Sequence, residues 1–165
     1  MSEHKAFVTW RFAGGHFADG KYSREHSWSF DGGAVVLASP SPAVVKEPYS
    51  NPACVDPEEA FVASISSCHL LTFLHLASRA GFAVESYDDE AVGHMTKNAH
   101  GVPWISSVVL RPRIVYSGTC PTPEREHELH ESAHHHCFIA NSVKTEIRVE
   151  AQRAEHSDRS EASSR

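Results

Sequence analysis

The sequence predicts an α+β fold, and three observations carry that reading. Short segments rich in β-formers, separated by Gly, Pro and Asp, occupy the first third of the chain. One long apolar stretch opens at Asp56-Pro57-Glu58-Glu59 and closes at Gly81, with helix signals at both ends. Strand-like segments then resume around a second helix start, Thr122-Pro123-Glu124. Strands, helix, strands, helix, strand is a segregated order rather than a βαβ repeat.

Taken in order, AFVTWRF (residues 6–12) reads as a strand. Gly14-Gly15 and Asp19-Gly20 mark turns, and KYSREHSWSF (21–30) reads as the next strand. Asp31-Gly32-Gly33 is a turn before the short run AVVLA (34–38), and four prolines make 39–56 a loop. Asp56 can cap the first helix, Pro57 suits its first position, and Glu59 can complete a capping box. Both faces of that helix are largely apolar, so it is expected to be buried on most sides. A second copy of the chain would supply that cover. Residues 86–97 and 104–117 each read as one strand, with Pro112 suggesting an edge or a bulge. The second helix runs to about His136. CFIANSV is then a turn or short helix, and VKTEIRVE (143–150) alternates as a last strand. The expected organisation is one domain over 1–150 and a disordered polar tail over 151–165.

Charge narrows the partners. A net charge of -6 without a Lys/Arg-rich run argues against nucleic acid and against an anionic membrane. No apolar stretch approaches the roughly 20 residues of a bilayer span, and the N-terminus lacks a signal core. The expected location is the cytoplasm. There, Cys54, Cys68, Cys120 and Cys137 are not expected to build a structural disulfide framework, and no pair has CxxC spacing.

Cys68 sits in SSCHLL, inside the apolar helix. A buried thiol there reads equally as a small core residue, but Ser66, Ser67 and His69 place polar groups beside it. Cys137 follows His134-His135-His136. The end of a helix raises a thiol pKa and the start of a new turn lowers it, and both readings stay open for Cys137.

DPEEAFVASISSCHLLTFL and HHHCFIANSVKTEI resemble the two cysteine motifs of the OsmC/Ohr hydroperoxide reductases, in the same order. WRF…GG…DGKYS and YSREHSWSFDGG resemble their N-terminal strands. The resemblance covers roughly residues 6–150. It implies an OsmC-like fold, with antiparallel sheets packed around a long central helix in an intertwined homodimer. It also implies a thiol peroxidase that reduces organic hydroperoxides, with Cys68 peroxidatic and Cys137 resolving. Arg24 and Glu58 match the family's assisting residues, with Arg11 and Glu59 as alternatives. No cofactor is implied. The reductant is an external dithiol, such as a lipoylated protein or a small thiol.

The chemistry suits those roles. A thiolate is the nucleophile, an arginine can orient a peroxide oxygen, and a carboxylate can hold that arginine. Glu58 and Cys68 lie ten residues apart, ~15 Å along a straight helix and about 80° around it. A bend, a bridging Arg24 or a glutamate from a second subunit would be needed to join them. Phe61, Ile65, Leu71, Phe73 and Phe138 flank the cysteines and read either as an apolar entry or as core.

A rival reading is a metal-binding, non-enzymatic protein. His127, His130 and His134 share one helix face, with Glu131, His135 and Cys137 nearby. The plainer alternative is a solvated histidine-rich face. Cys54 and Cys120 read as stray thiols, and Trp10, Trp28 and Trp104 as core or interface anchors.

Overall fold

The computed structural model describes residues 2–152 and 155–156. The chain divides into two compact units, 1–61 and 62–165.

The first unit is a three-stranded antiparallel sheet with a long loop. β1 (Ala6–Thr9), β2 (His26–Phe30) and β3 (Val35–Ala38) lie in that order, Val8 opposite Trp28 and Trp28 opposite Val36. Gly33 turns the β2–β3 hairpin at φ 84°, a conformation glycine adopts at no steric cost. The strand expected over 21–30 begins at His26. The residues before it belong to a turn around a single 3-10 turn, Phe17–Asp19, closed by left-handed Gly20. Residues 39–56 form the loop that the prolines predict. Buried Ser39 pins it, accepting Asn51 N–H at 2.8 Å and donating its own N–H to Val55 at 3.1 Å.

α1 (Pro57–Arg79) begins in this unit. Its capping box is formed: Glu59 N–H donates to Asp56 Oδ1 at 2.7 Å, and Asp56 N–H to Glu59 Oε2 at 3.1 Å. At the other end Phe82 N–H reaches Ala77 O, and Gly81 takes φ 84°. The 23-residue helix is long and apolar enough to cross a bilayer by length and composition, contrary to the expectation that no segment is. Its buried stripe nevertheless packs on the protein's own core. Ile65, His69, Phe73 and Ala77 are buried at four-residue intervals, while Ser64, Ser67, Leu71 and His75 are exposed. Within a single chain, burial is therefore confined to one face.

In the second unit, α1 and α2 (Pro123–His136) enclose a core with β4 (Ala83–Asp89) and β7 (Pro112–Ser117). Phe73, Ala77, Ile114, Tyr116, Leu129 and Ala133 form its centre. Thr122 caps α2 by accepting Arg125 N–H, with Pro123 in the first turn. The other sheet has the order β5 (Val92–Lys97), β6 (Pro103–Leu110), β8 (Glu146–Val149). α1 passes so close to β5 that a Cβ on Gly93 would lie 2.6 Å from Val62 Cγ2.

The two long strand readings each split in two. β4 and β5 part at Glu90, β6 and β7 at Arg111, and each pair belongs to different sheets. Asp89 organises both breaks: it accepts Ser66 Oγ–H at 2.5 Å and Arg111 N–H at 2.6 Å. Pro112, expected at an edge or bulge, is instead the first residue of the central strand of β4-β7-β9. The two sheets of the second unit are mixed rather than wholly antiparallel, because β8 pairs with β6, and β9 (Glu155–His156) with β7, in parallel. β9 falls inside the tail expected to be disordered; 153–154 and 157–165 lie outside the described residues.

Candidate active site

Cys68 lies midway along α1 and is half-buried, whereas Cys137 is 1% exposed and caps α2. The structure brings both sulfurs to one turn: backbone N–H groups of adjacent residues, Ile139 and Ala140, donate to Cys68 Sγ and Cys137 Sγ. None of the four cysteines is in a disulfide.

The turn after Cys137, which contains a 3-10 turn at Ala140–Ser142, points backbone donors at both sulfurs. Ile139 N–H donates to Cys68 Sγ at 3.5 Å, and Ala140 N–H to Cys137 Sγ at 3.4 Å. Burial, and then the hydrogen bond to Cys68, push the Cys137 thiol up to about 11. Near neutral pH Cys137 is therefore a protonated thiol beside its partner sulfur. Desolvation outweighs the Ala140 and Ile139 amides, which act to lower its pKa.

One residue on, His69 joins the same helix pair. Its Nε2 and His130 Nδ1 share a hydrogen bond of 3.0 Å, with the rings within 6° of parallel and Phe73 stacked 4.4 Å from His130. Burial, before any neighbouring charge, lowers His69 to about 4 and His130 to about 3. Both rings are neutral at pH 7, and they tie the Cys68 helix to the helix that ends at Cys137. This is not the metal face expected of His127, His130 and His134. His130 is buried while His127 is exposed, and among the described residues no group of three His, Cys, Asp or Glu could hold a metal ion.

The expected apolar entry is also redistributed. Ile65 and Phe73 are fully buried core, whereas Leu71 and Phe138 are 65% and 83% exposed. The first unit has an apolar cavity of its own, about 500 Å³, lined by Trp10, Phe17, Tyr22, Arg24, His26 and Glu58 among others. Phe17 stacks on Tyr22 at 4.6 Å, and Trp10 Nε1–H donates to Ser23 O. Arg24 lies 4.2 Å over the Tyr22 ring and donates to Tyr22 O and Gly20 O at 3.1 and 3.2 Å. Backbone carbonyls and an aromatic face thus hold this cation in position. Glu58 lines the same cavity, while Glu59 is occupied by the helix cap. Arg11 is exposed and lies outside the lining. Of the two alternatives at each position, Arg24 and Glu58 are the cavity residues. Phe17, Tyr22 and His26 were not singled out from sequence, and Trp10 was read only as an anchor. A local signal existed, in aromatic residues clustered on either side of the Asp19-Gly20 turn.

Fold and sulfur geometry define a class: an α+β protein with one thiol in a core helix and a second on the turn after another helix. The chain belongs to the family described as OsmC-like protein, which matches residues 50–152. The chain is similar to an OsmC-like protein of unknown function from Vibrio cholerae. That structure is 52% identical, with a TM-score of 0.89, over 92% of this chain and all of the other. It shares its fold with an organic hydroperoxide resistance protein from Elizabethkingia anophelis (17% identity, TM-score 0.63, 95% and 98% covered). An organic hydroperoxide resistance protein OsmC from Legionella pneumophila has the same fold (13% identity, TM-score 0.62, 95% and 98% covered). No curated protein sequence matches the chain.

Proposed function

We propose that this protein is a two-cysteine thiol peroxidase that reduces organic hydroperoxides to alcohols. The observation that carries the reading is that adjacent amides of one turn, Ile139 and Ala140, reach the Cys68 and Cys137 sulfurs at 3.5 and 3.4 Å. Cys68 attacks the peroxide as a thiolate; the O–O bond breaks, the alkoxide leaves and takes a proton, and Cys68 becomes a sulfenic acid. Cys137 forms the S–S bond, and its proton leaves with the sulfenic hydroxyl as water. An external dithiol, such as a lipoylated protein, then reduces the disulfide by exchange and is itself oxidised.

The division of roles follows from burial. Cys137, 1% exposed and held protonated, is ill-suited to meet a peroxide first, while Cys68 is the more open sulfur. Family resemblance gives Arg24 the task of orienting the peroxide and Glu58 that of steadying Arg24. On that resemblance, the aromatic lining around Arg24 and Glu58 in the first unit suits an organic substituent better than hydrogen peroxide.

The reading includes a homodimer in the cytoplasm. Exposed Phe7, Val8, Val35 and Leu37 on the first sheet, and exposed Leu71 on α1, are apolar surface that a second copy would cover.

Reduced protein mixed with cumene hydroperoxide should lose two thiols per chain and release one cumyl alcohol. Cys68→Ser should abolish both effects, and Cys137→Ser should leave a sulfenic acid that dimedone traps. Alcohol release that persists in Cys68→Ser would overturn the assignment.

A further inference from the structure

Cys68 is poorly placed to be stabilised by its own helix. It lies midway along α1, and the field of a helix N-terminus falls off within the first turn. The neighbouring thiol, Cys137, is pushed up to about 11 by burial and so carries no compensating charge near pH 7. The charge on a Cys68 thiolate must therefore be met from outside the helix. One donor approaches it from the other end of the unit's sequence: Ile139 N–H, 3.5 Å from Sγ.

That donor belongs to a turn with an unusual number of internal ties. Asn141 Nδ2 donates to His135 O at 3.0 Å and to Cys137 O at 2.9 Å, and Asn141 N–H donates to Cys137 O at 3.1 Å. Ser142 Oγ donates to Phe138 O at 2.7 Å. One side-chain amide thus spans the last turn of α2 and the Cys137 carbonyl. Asn141 closes the chain back on Cys137, and Ser142, bound to Phe138 O, holds the peptide plane that carries Ile139 N–H.

Resting on the peroxidase reading, we propose that the turn 138–142 is an amide cradle for the Cys68 thiolate. Ile139 N–H is its donor, and Asn141 is the positioning residue that aims it. The cradle also explains why the second cysteine opens a turn instead of ending a strand. The same few residues deliver the resolving sulfur and the donor for the attacking one. Hydrogen bonds to charged groups are among the stronger ones, so losing this one should be visible in Cys68 reactivity.

Ile139 has φ -68° and ψ -42°, which a proline ring accommodates. Ile139→Pro therefore removes the donor while keeping that residue's own backbone angles, and Asn141→Ala loosens its aim by a separate route. The readout is site-resolved iodoacetamide labelling of Cys68 across pH, by peptide mass spectrometry on folded full-length protein. In Ile139→Pro the labelling profile should move up by about one pH unit, and labelling near pH 7 should slow about tenfold. Asn141→Ala should move it in the same direction by less. If Ile139→Pro fails to fold, the Asn141→Ala profile decides the matter. A profile unmoved in the folded variants overturns the cradle. Hydroperoxide consumption by the unaltered protein is scored separately. If it is absent while the profiles shift, the peroxidase reading fails and the cradle stands; consumption with unmoved profiles means the reverse.

Discussion

Lowering the pH from 7.5 to 5 should destabilise this protein through one buried pair of rings. His69 and His130 are 1% and 2% exposed and share a single hydrogen bond. Burial lowers them to about 4 and about 3, against about 6.5 for a free imidazole. Because the folded values lie below the unfolded one, the unfolded chain binds protons that the folded chain refuses. The pair's contribution is complete above about pH 6.5 and is lost as pH falls towards 4. At pH 5 each ring then removes about 2 kcal/mol, or about 4 kcal/mol for the pair. That is a large share of an ordinary domain's stability of about 5–15 kcal/mol. Glu126 works in the opposite direction. Burial raises its pKa, so its contribution grows as pH falls, and a Glu126→Gln background removes it. The assay is urea unfolding of that background at pH 7.5 and 5, with imidazole resonances followed by NMR. Equal stability at the two pH values, with both rings titrating near 6.5, would refute the reasoning.

Two further outcomes follow from side chains with a single task. Gly93→Ala places a Cβ against the stiff Val62 side chain and should cost about 1–3 kcal/mol in denaturant unfolding, with Val62→Ala restoring most of it. Glu59→Ala should lower stability by about 0.5–2 kcal/mol through loss of the capping box while leaving hydroperoxide turnover intact. Glu58→Ala, by contrast, should lower turnover with little change in melting temperature.

Both helices were legible because their boundaries are set by local chemistry. Asp56, Pro57 and Glu59 at one start, and Thr122 and Pro123 at the other, satisfy backbone donors within a few residues. The strand breaks at Glu90 and Arg111 were not legible. They depend on Asp89 accepting donors from Ser66 and Arg111, a tertiary arrangement without local trace. The sulfur pair was reached through resemblance to a family motif, not through periodicity. The histidine face was visible at 127, 130 and 134, but helical spacing does not reveal that His130 turns inward to His69 on another helix. Phe73 and Ile65 show the matching ambiguity: an apolar residue beside a thiol reads the same whether it lines an entry or fills a core. The aromatic cavity escaped notice because a turn assembles it from Trp10, Phe17 and Tyr22, and no periodic element does.

The most direct measurement is a disulfide map of the reduced protein after one equivalent of cumene hydroperoxide, read by non-reducing peptide mass spectrometry. The account predicts a single new cross-link joining the peptides that carry Cys68 and Cys137, reversed by a dithiol. Oxidation that leaves Cys137 an alkylatable thiol, with Cys68 overoxidised or bonded to Cys54 or Cys120, would contradict it.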